Sequence, residues 1–192
     1  MRKFIFIFLL ISFNVFPNKL YCKKYFNYKA MEDKYSDSLD QLMLKISEIY
    51  QVSYSTVQEL SSDPDHNYAI EFHSVIEAAA GLEFKRKFLR DCELYRGGAG
   101  IEFLDCDNKA YDVKSPQGEG STPSSYMVKS IIKKLENMVK KDYSVEAIIL
   151  NLSFINTEKA MSTIALINQK KIFNDSRREL LTVCLRPEIF EN

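Results

Sequence analysis

An α/β fold, with a mixed central sheet flanked by helices, is the class the sequence predicts for most of this chain. Two observations predict it. From about residue 68 the elements run helix, hairpin, helix, strand, helix, strand, an order that lays helices on a mixed sheet. The stretch "IEFLDCDNKAYDVKSP" then alternates Ile101, Phe103, Tyr111 and Val113 with charged residues, which is the period of a strand hairpin. With 192 residues, 46% of them apolar, the chain is long enough for one domain with a real core and an additional segment. Its formal charge is zero, which excludes a global basic field and leaves any polyanion to be met by a local patch.

At the N-terminus, Arg2 and Lys3 precede "FIFIFLLISFNVF", an apolar run that ends at Pro17. That is the length of a signal-peptide core and is short of the ~20 residues of a membrane-spanning helix. Residues 1–22 are therefore expected to be a signal peptide on a protein that is secreted or held in the cell envelope, with no membrane span after its removal. Cys22 in "NKLYCKK" offers an alternative, a lipid-attached first residue, although Tyr21 and Lys19 are poor lipobox residues. The cysteines Cys22, Cys92, Cys106 and Cys184 are scattered without a CxxC spacing, so small buried residues are expected rather than a disulfide framework or a zinc site.

Residues 23–67 form an accessory segment with one good helical pattern. Leu39, Leu42, Met43, Ile46 and Ile49 recur at steps of three and four, with Ser36 or Asp37 as N-cap. "SSDPDHN" is a turn-rich boundary. The domain proper, residues 68–192, opens with the helix "YAIEFHSVIEAAAGLEFKRKFLR", whose stripe is Ile70, Val75, Ile76, Ala79 and Leu82. "GGAG" breaks the chain before the hairpin. "STPSSYMVKSIIKKLENMVKK" is a second helix with Pro123 in its first turn and a set of lysines. "VEAIILNLSFI" reads as a buried strand, "TEKAMSTIALINQKK" as a third helix and "ELLTVCLRP" as a last strand.

The charges of the hairpin carry the chemistry. Residues two apart on a strand share a face, so Asp112 and Lys114 project together. An odd-numbered loop closing Leu104 against Ala110 places Glu102 opposite Asp112; a two-residue Asp107-Asn108 turn instead brings Asp105 beside Asp112. The odd loop is preferred, because Asp-Asn lacks the Gly that two-residue hairpins favour. Two carboxylates and a lysine on one face suit a hard divalent cation such as Mg²⁺ and a positioned water.

The run "IEAAAGL" on a helix, "GAGIEFLDCDNKAYDVKSP", a basic helix and "AIILNLSF" together resemble the PD-(D/E)xK nuclease superfamily. The closest likeness is to the tRNA-nuclease C-terminal domains of CdiA-type contact-dependent growth inhibition toxins, over roughly residues 68–187. The resemblance implies a restriction-endonuclease-like core and an exported, metal-dependent endonuclease toxin that hydrolyses RNA, with tRNA as substrate. It also implies a cognate immunity protein as partner. Its pattern of a helix Glu, a strand acid and an acid-x-Lys pair falls on Glu77, Glu102, Asp112 and Lys114, the first three as metal ligands and Lys114 steering water or the transition state. Glu102 stands where Asp is commoner. Lys129, Lys133 and Ser115 are the candidate substrate contacts.

Each assignment has a rival. Glu71 or Glu83 competes with Glu77 for the helix position, and the lysines read equally as a solvated face. Ser115 and Pro116 also serve to shape the strand exit. His66 and His73 lack paired metal-ligand spacing and are expected to be structural or exposed, which leaves no His placed as a general base. No P-loop lysine, GxSxG elbow, HExxH helix or GxGxxG turn occurs. Two other functions stay open, a DNase and a catalytically inactive nuclease fold used for binding at the envelope.

Overall fold

The structure, a computed structural model, describes residues 22, 24–98, 100–117, 133, 136, 145–170 and 179–191. Its centre is one mixed sheet of five strands in chain order: β1 Leu94–Arg96, β2 Phe103–Asp105, β3 Ala110–Lys114, β4 Val145–Asn151 and β5 Glu179–Val183. β1, β2 and β3 pair antiparallel, whereas β3, β4 and β5 run parallel. Among the described residues four α-helices precede the sheet, α1 Tyr28–Tyr35, α2 Leu39–Tyr50, α3 Tyr54–Ser61 and α4 Phe72–Phe84, and α5 Thr157–Gln169 lies between β4 and β5. A parallel pair needs such a crossover, because its strands must start at the same end of the sheet.

Alternation along the strands sorts the apolar side chains into two cores. Phe103, Tyr111, Val113, Ala147, Ile149 and Val183 face α1 to α4, while Ile148 and Leu150 face Ala160, Ile164 and Ile167 of α5. β4 is therefore buried on both faces and reads as a nearly continuous apolar run. Helix α4 is buried over most of its surface and starts with a capping box between Glu71 and Ser74. Its run of small residues, Ala78 to Gly81, is buried all round, and Gly81 faces the strands. A Cβ on Gly81 would stand 2.7 Å from Cε2 of Phe103 and 2.9 Å from Cδ2 of Leu94.

The expected order of elements is present wherever the residues are described. α2 begins after Ser38 rather than Ser36 or Asp37, and Ser38 makes no side-chain cap bond. The expected accessory helix is joined by α1 and α3, and β1 arises just before the "GGAG" break. The second helix lies largely outside the described residues, of which Lys133 and Glu136 are helical. Of the expected signal peptide, residues 1–22, all but Cys22 lies outside them as well. Among the described residues no helix is long and apolar enough to cross a membrane.

The reading of the cysteines is corrected. Cys22 is bonded to Cys184 and Cys92 to Cys106, so all four are in disulfides. Sequence spacing hides such pairs, because partners up to 162 residues apart meet only through the fold. Cys22 thus belongs with the folded part, and its sulfur is not free to carry lipid. Two disulfides fit an extracellular protein.

Two stability outcomes are expected. Gly81→Val drives a branched side chain into the fully buried Phe103 ring and should cost roughly 1–3 kcal/mol in urea unfolding, with an unchanged m-value. Replacing Cys92 and Cys106 by Ser should cost about 3 kcal/mol, and replacing Cys22 and Cys184 about 5 kcal/mol, because the second bridge closes a far longer loop. Equal losses from the two pairs would reject loop closure as the source of that stability.

Candidate functional site

The hairpin closes in the odd register. Leu104 pairs with Ala110 and Phe103 with Tyr111, the Asp105 amide donates to the Lys109 carbonyl (3.1 Å), and Asn108 takes the left-handed conformation at φ 60°. Asp105 is spent on this turn. Its carboxylate accepts from the amides of Asp107 and Lys109 (2.9 Å each) and from the Tyr111 hydroxyl (2.7 Å). Burial acts to raise the Asp105 pKa, but those hydrogen bonds outweigh it and hold the carboxyl below its ordinary range. Asp105 is thus a turn residue, and Glu102 is the acid available to the site.

On β3 the shared face of Asp112 and Lys114 brings Nζ within 2.6 Å of Asp112 Oδ1, and the same ammonium donates to the Val113 carbonyl at 2.9 Å. Glu102 does not simply stand across from Asp112. Its amide donates to the Tyr111 carbonyl (3.1 Å), one residue off the Phe103–Tyr111 register, and its carboxylate meets Arg96. Oε2 lies 2.9 Å from Arg96 Nη2, a charge contact whose geometry leaves Oε2 and Arg96 Nε, both buried, without an aligned hydrogen bond. Arg96 reaches further. The same Nη2 lies 3.1 Å from Asp63 Oδ1, Nη1 donates to the Leu60 carbonyl, and the guanidinium stands over the Phe103 ring.

Glu77 completes the group from α4. Its carboxyl is pushed up to about 8, first by burial and then by the Glu102 charge, with Asp112 adding and Lys114 and Arg96 opposing. Glu102 is raised too, by burial before anything else, against the pull of Arg96 and Lys114. Glu77, Glu102, Asp112 and Lys114, from three elements, therefore lie within one electrostatic neighbourhood. The rivals of Glu77 are committed elsewhere. Glu71 contacts His73 at the start of α4, and the buried Glu83 is held by Arg86 (2.7 Å) and Lys87 (3.0 Å).

Ser115 accepts a hydrogen bond from Asn151 Nδ2 (3.2 Å), which ties the exit of β3 to β4. Lys133 is exposed, whereas Lys129 lies outside the described residues. Arg96 and Asp63 were missed by the sequence reading; a single Arg before a glycine break carries no periodic signal. His66 is exposed, as expected, and His73 is half-buried. With Asp63, His66 and His73 form a group whose ligand atoms lie within 4.8 Å of one another and could hold a metal ion.

The raised Glu77 pKa fixes the sign of a pH dependence. Below the ordinary value of 4.5 Glu77 is protonated in both folded and unfolded chains and contributes nothing. Between 4.5 and about 8 the unfolded chain ionises first, so stability falls as pH rises, by up to about 1.4 kcal/mol per pH unit, and above 8 the loss is complete. Melting of the metal-free protein should show this decline across the window, and Glu77→Gln should flatten it. Parallel curves for the two proteins would place Glu77 in an ordinary solvated setting. Comparison of the chain with protein-family models, with curated proteins and with solved structures finds no match in any of the three.

Proposed function

We propose that the chain is an exported, metal-dependent nuclease that hydrolyses phosphodiester bonds in RNA, with tRNA as its substrate, and that it acts as a toxin against which a cognate immunity protein protects the producer. One observation carries the reading: three acids and one lysine, the set named by the resemblance to PD-(D/E)xK nucleases, share one half-buried neighbourhood although they come from α4, the segment before β2, and β3.

Glu77, Glu102 and Asp112 would hold a hard divalent cation, Mg²⁺ in first place, and the donor set fits one. It is built of oxygens alone, and Glu102 Oε2 is buried without an aligned hydrogen bond. Such a cation supplies charge to offset a phosphate and makes water a better nucleophile at neutral pH. Around it the chain contributes position and charge. Asp112 and the Val113 carbonyl hold the Lys114 ammonium at the end of β3, where it can orient a water or neutralise an oxygen that gains charge. The buried Arg96 anchors Glu102, so the strand acid is placed before substrate arrives. Glu77 retains its proton at neutral pH until a cation compensates its neighbours.

A second reading has its own support. Lys114 and Arg96 already neutralise Asp112 and Glu102 internally, as expected of a nuclease fold kept for binding at the cell envelope after activity is lost. One assay separates the two. Oxidised protein is incubated with total tRNA, rRNA and plasmid DNA in Mg²⁺, Mn²⁺ or chelator, beside Lys114→Ala. The nuclease reading expects tRNA cleavage that needs metal and falls at least ~100-fold in the variant. Cleavage of plasmid alone would make it a DNase, and a folded protein that cuts nothing under any metal would leave the binding module.

A further inference from the structure

The chain has two histidines, and both lie against one aspartate. His66 Nδ1 is 3.2 Å from Asp63 Oδ2, His73 Nε2 is 4.0 Å from the same oxygen, and the two rings meet edge to face. We infer that Asp63, His66 and His73 form a second, separate site for a borderline transition-metal ion of the Zn²⁺ class.

Three features support the assignment. The first is the donor set. Two imidazoles and one carboxylate suit Zn²⁺, Co²⁺ or Ni²⁺, whereas Mg²⁺ takes oxygen ligands, so this site and the all-carboxylate site select different metals. No thiolate competes for such an ion, because all four cysteines are in disulfides.

Spacing is the second. A tetrahedral ion bound at about 2.0–2.1 Å holds its ligand atoms roughly 3.4 Å apart; here Asp63 stands 3.2 and 4.0 Å from the two histidines and all three ligand atoms lie within 4.8 Å, a spacing that side-chain rotation can close on an ion. The half-exposed His66 leaves the remaining position open to water or a small ligand.

The third feature is outer support. His73 turns its other nitrogen, Nδ1, to the Glu71 carboxylate at 3.3 Å, the carboxylate–histidine arrangement that orients a ligand toward a metal. The Asp63 oxygen that does not face the histidines, Oδ1, accepts the Asp65 amide (2.9 Å) and meets Arg96 (3.1 Å), leaving Oδ2 for an ion. The frame is a tight turn. Pro64–His66 forms a 3-10 turn, Asn67 and Tyr68 both take φ near +60°, and Ala69 returns to bridge Asp63.

The site does not depend on the nuclease reading, since a chain without hydrolytic activity would still bind the ion. The test uses the oxidised full chain without a histidine tag, so that its two imidazoles report on this place alone. Zn²⁺ is titrated by calorimetry and by NMR of the imidazole nitrogens, with Mg²⁺ as control. One Zn²⁺ per chain should bind and shift both rings, and Mg²⁺ should shift neither. His66→Ala and His73→Ala should each weaken Zn²⁺ at least ~10-fold, while Glu77→Gln and Lys114→Ala bind as the parent does. His66 is half exposed, so its variant should fold, with near-ultraviolet circular dichroism as the check. Imidazoles that stay unmoved by Zn²⁺ in the folded chain, or binding lost in Glu77→Gln but kept in both histidine variants, would overturn the assignment.

Discussion

A close approach of helix to sheet, Gly81 against the Phe103 ring and a Leu94 methyl, is the constraint on which the rest of the arrangement depends. A helix places residues four apart along one row, and Gly81, Glu77 and His73 form such a row on α4. With Gly81 seated on Phe103, Glu77 falls one turn back, beside Glu102, which precedes Phe103 in the chain. His73 falls a further turn back, beside the Asp63 turn. One packing contact between small and aromatic residues thus positions the α4 members of both charged groups, Glu77 and His73, while the Asp63–Ala69 turn and the segment before β2 bring their partners to them.

Electrostatics then joins the two groups. Arg96 is only 7% exposed at its side chain and lies between Asp63 and Glu102, with the Phe103 ring beneath it. Removing one member of such a buried set leaves the others uncompensated, which is costlier than the set itself is stabilising. Burial first, and then the carboxyls that outnumber the cations Arg96 and Lys114, favour the protonated form of Glu77. A cation arriving among the acids would relieve the same surplus. Proton retention at Glu77 and cation binding are therefore alternative responses to one excess of negative charge, and a bound cation would release the proton.

What the sequence revealed was local and periodic. The apolar stripe of α4, the alternation of the hairpin and the near-continuous run of β4 follow from side-chain periods of 3.6 and 2, and the chemistry of Asp-Asn was enough to prefer the odd loop, the register found, over a two-residue turn. What it hid was long-range or too short to have a period. β1 has three residues, α1 and α3 have eight each, and the disulfides join points that only the fold brings together. The offset that turns Glu102 toward Arg96 depends on a partner from another strand. The histidines, seven residues apart, converge because Asn67 and Tyr68 adopt left-handed backbone, a conformation a bulky Tyr rarely takes and no composition rule would suggest.

The placement of Cys92–Cys106 gives the disulfides a bearing on the site beyond stability. Cys92 lies just before β1 and Cys106 just after β2, so the bridge clamps the end of the β1–β2 ladder where Leu94 pairs with Asp105. A slip of one residue in such a ladder turns every side chain to the opposite face. Here it would break the pairing of Arg96 with Phe103 and carry Glu102 away from Arg96 and from Glu77. The three-residue strands β1 and β2 have few ladder bonds with which to resist that slip, whereas the covalent bridge forbids it at one end and Gly81 against Phe103 opposes it from above. An oxidising compartment is thus tied to the geometry of the acids themselves, since it supplies the bond that keeps Glu102 in register with the residues that give it a charged partner.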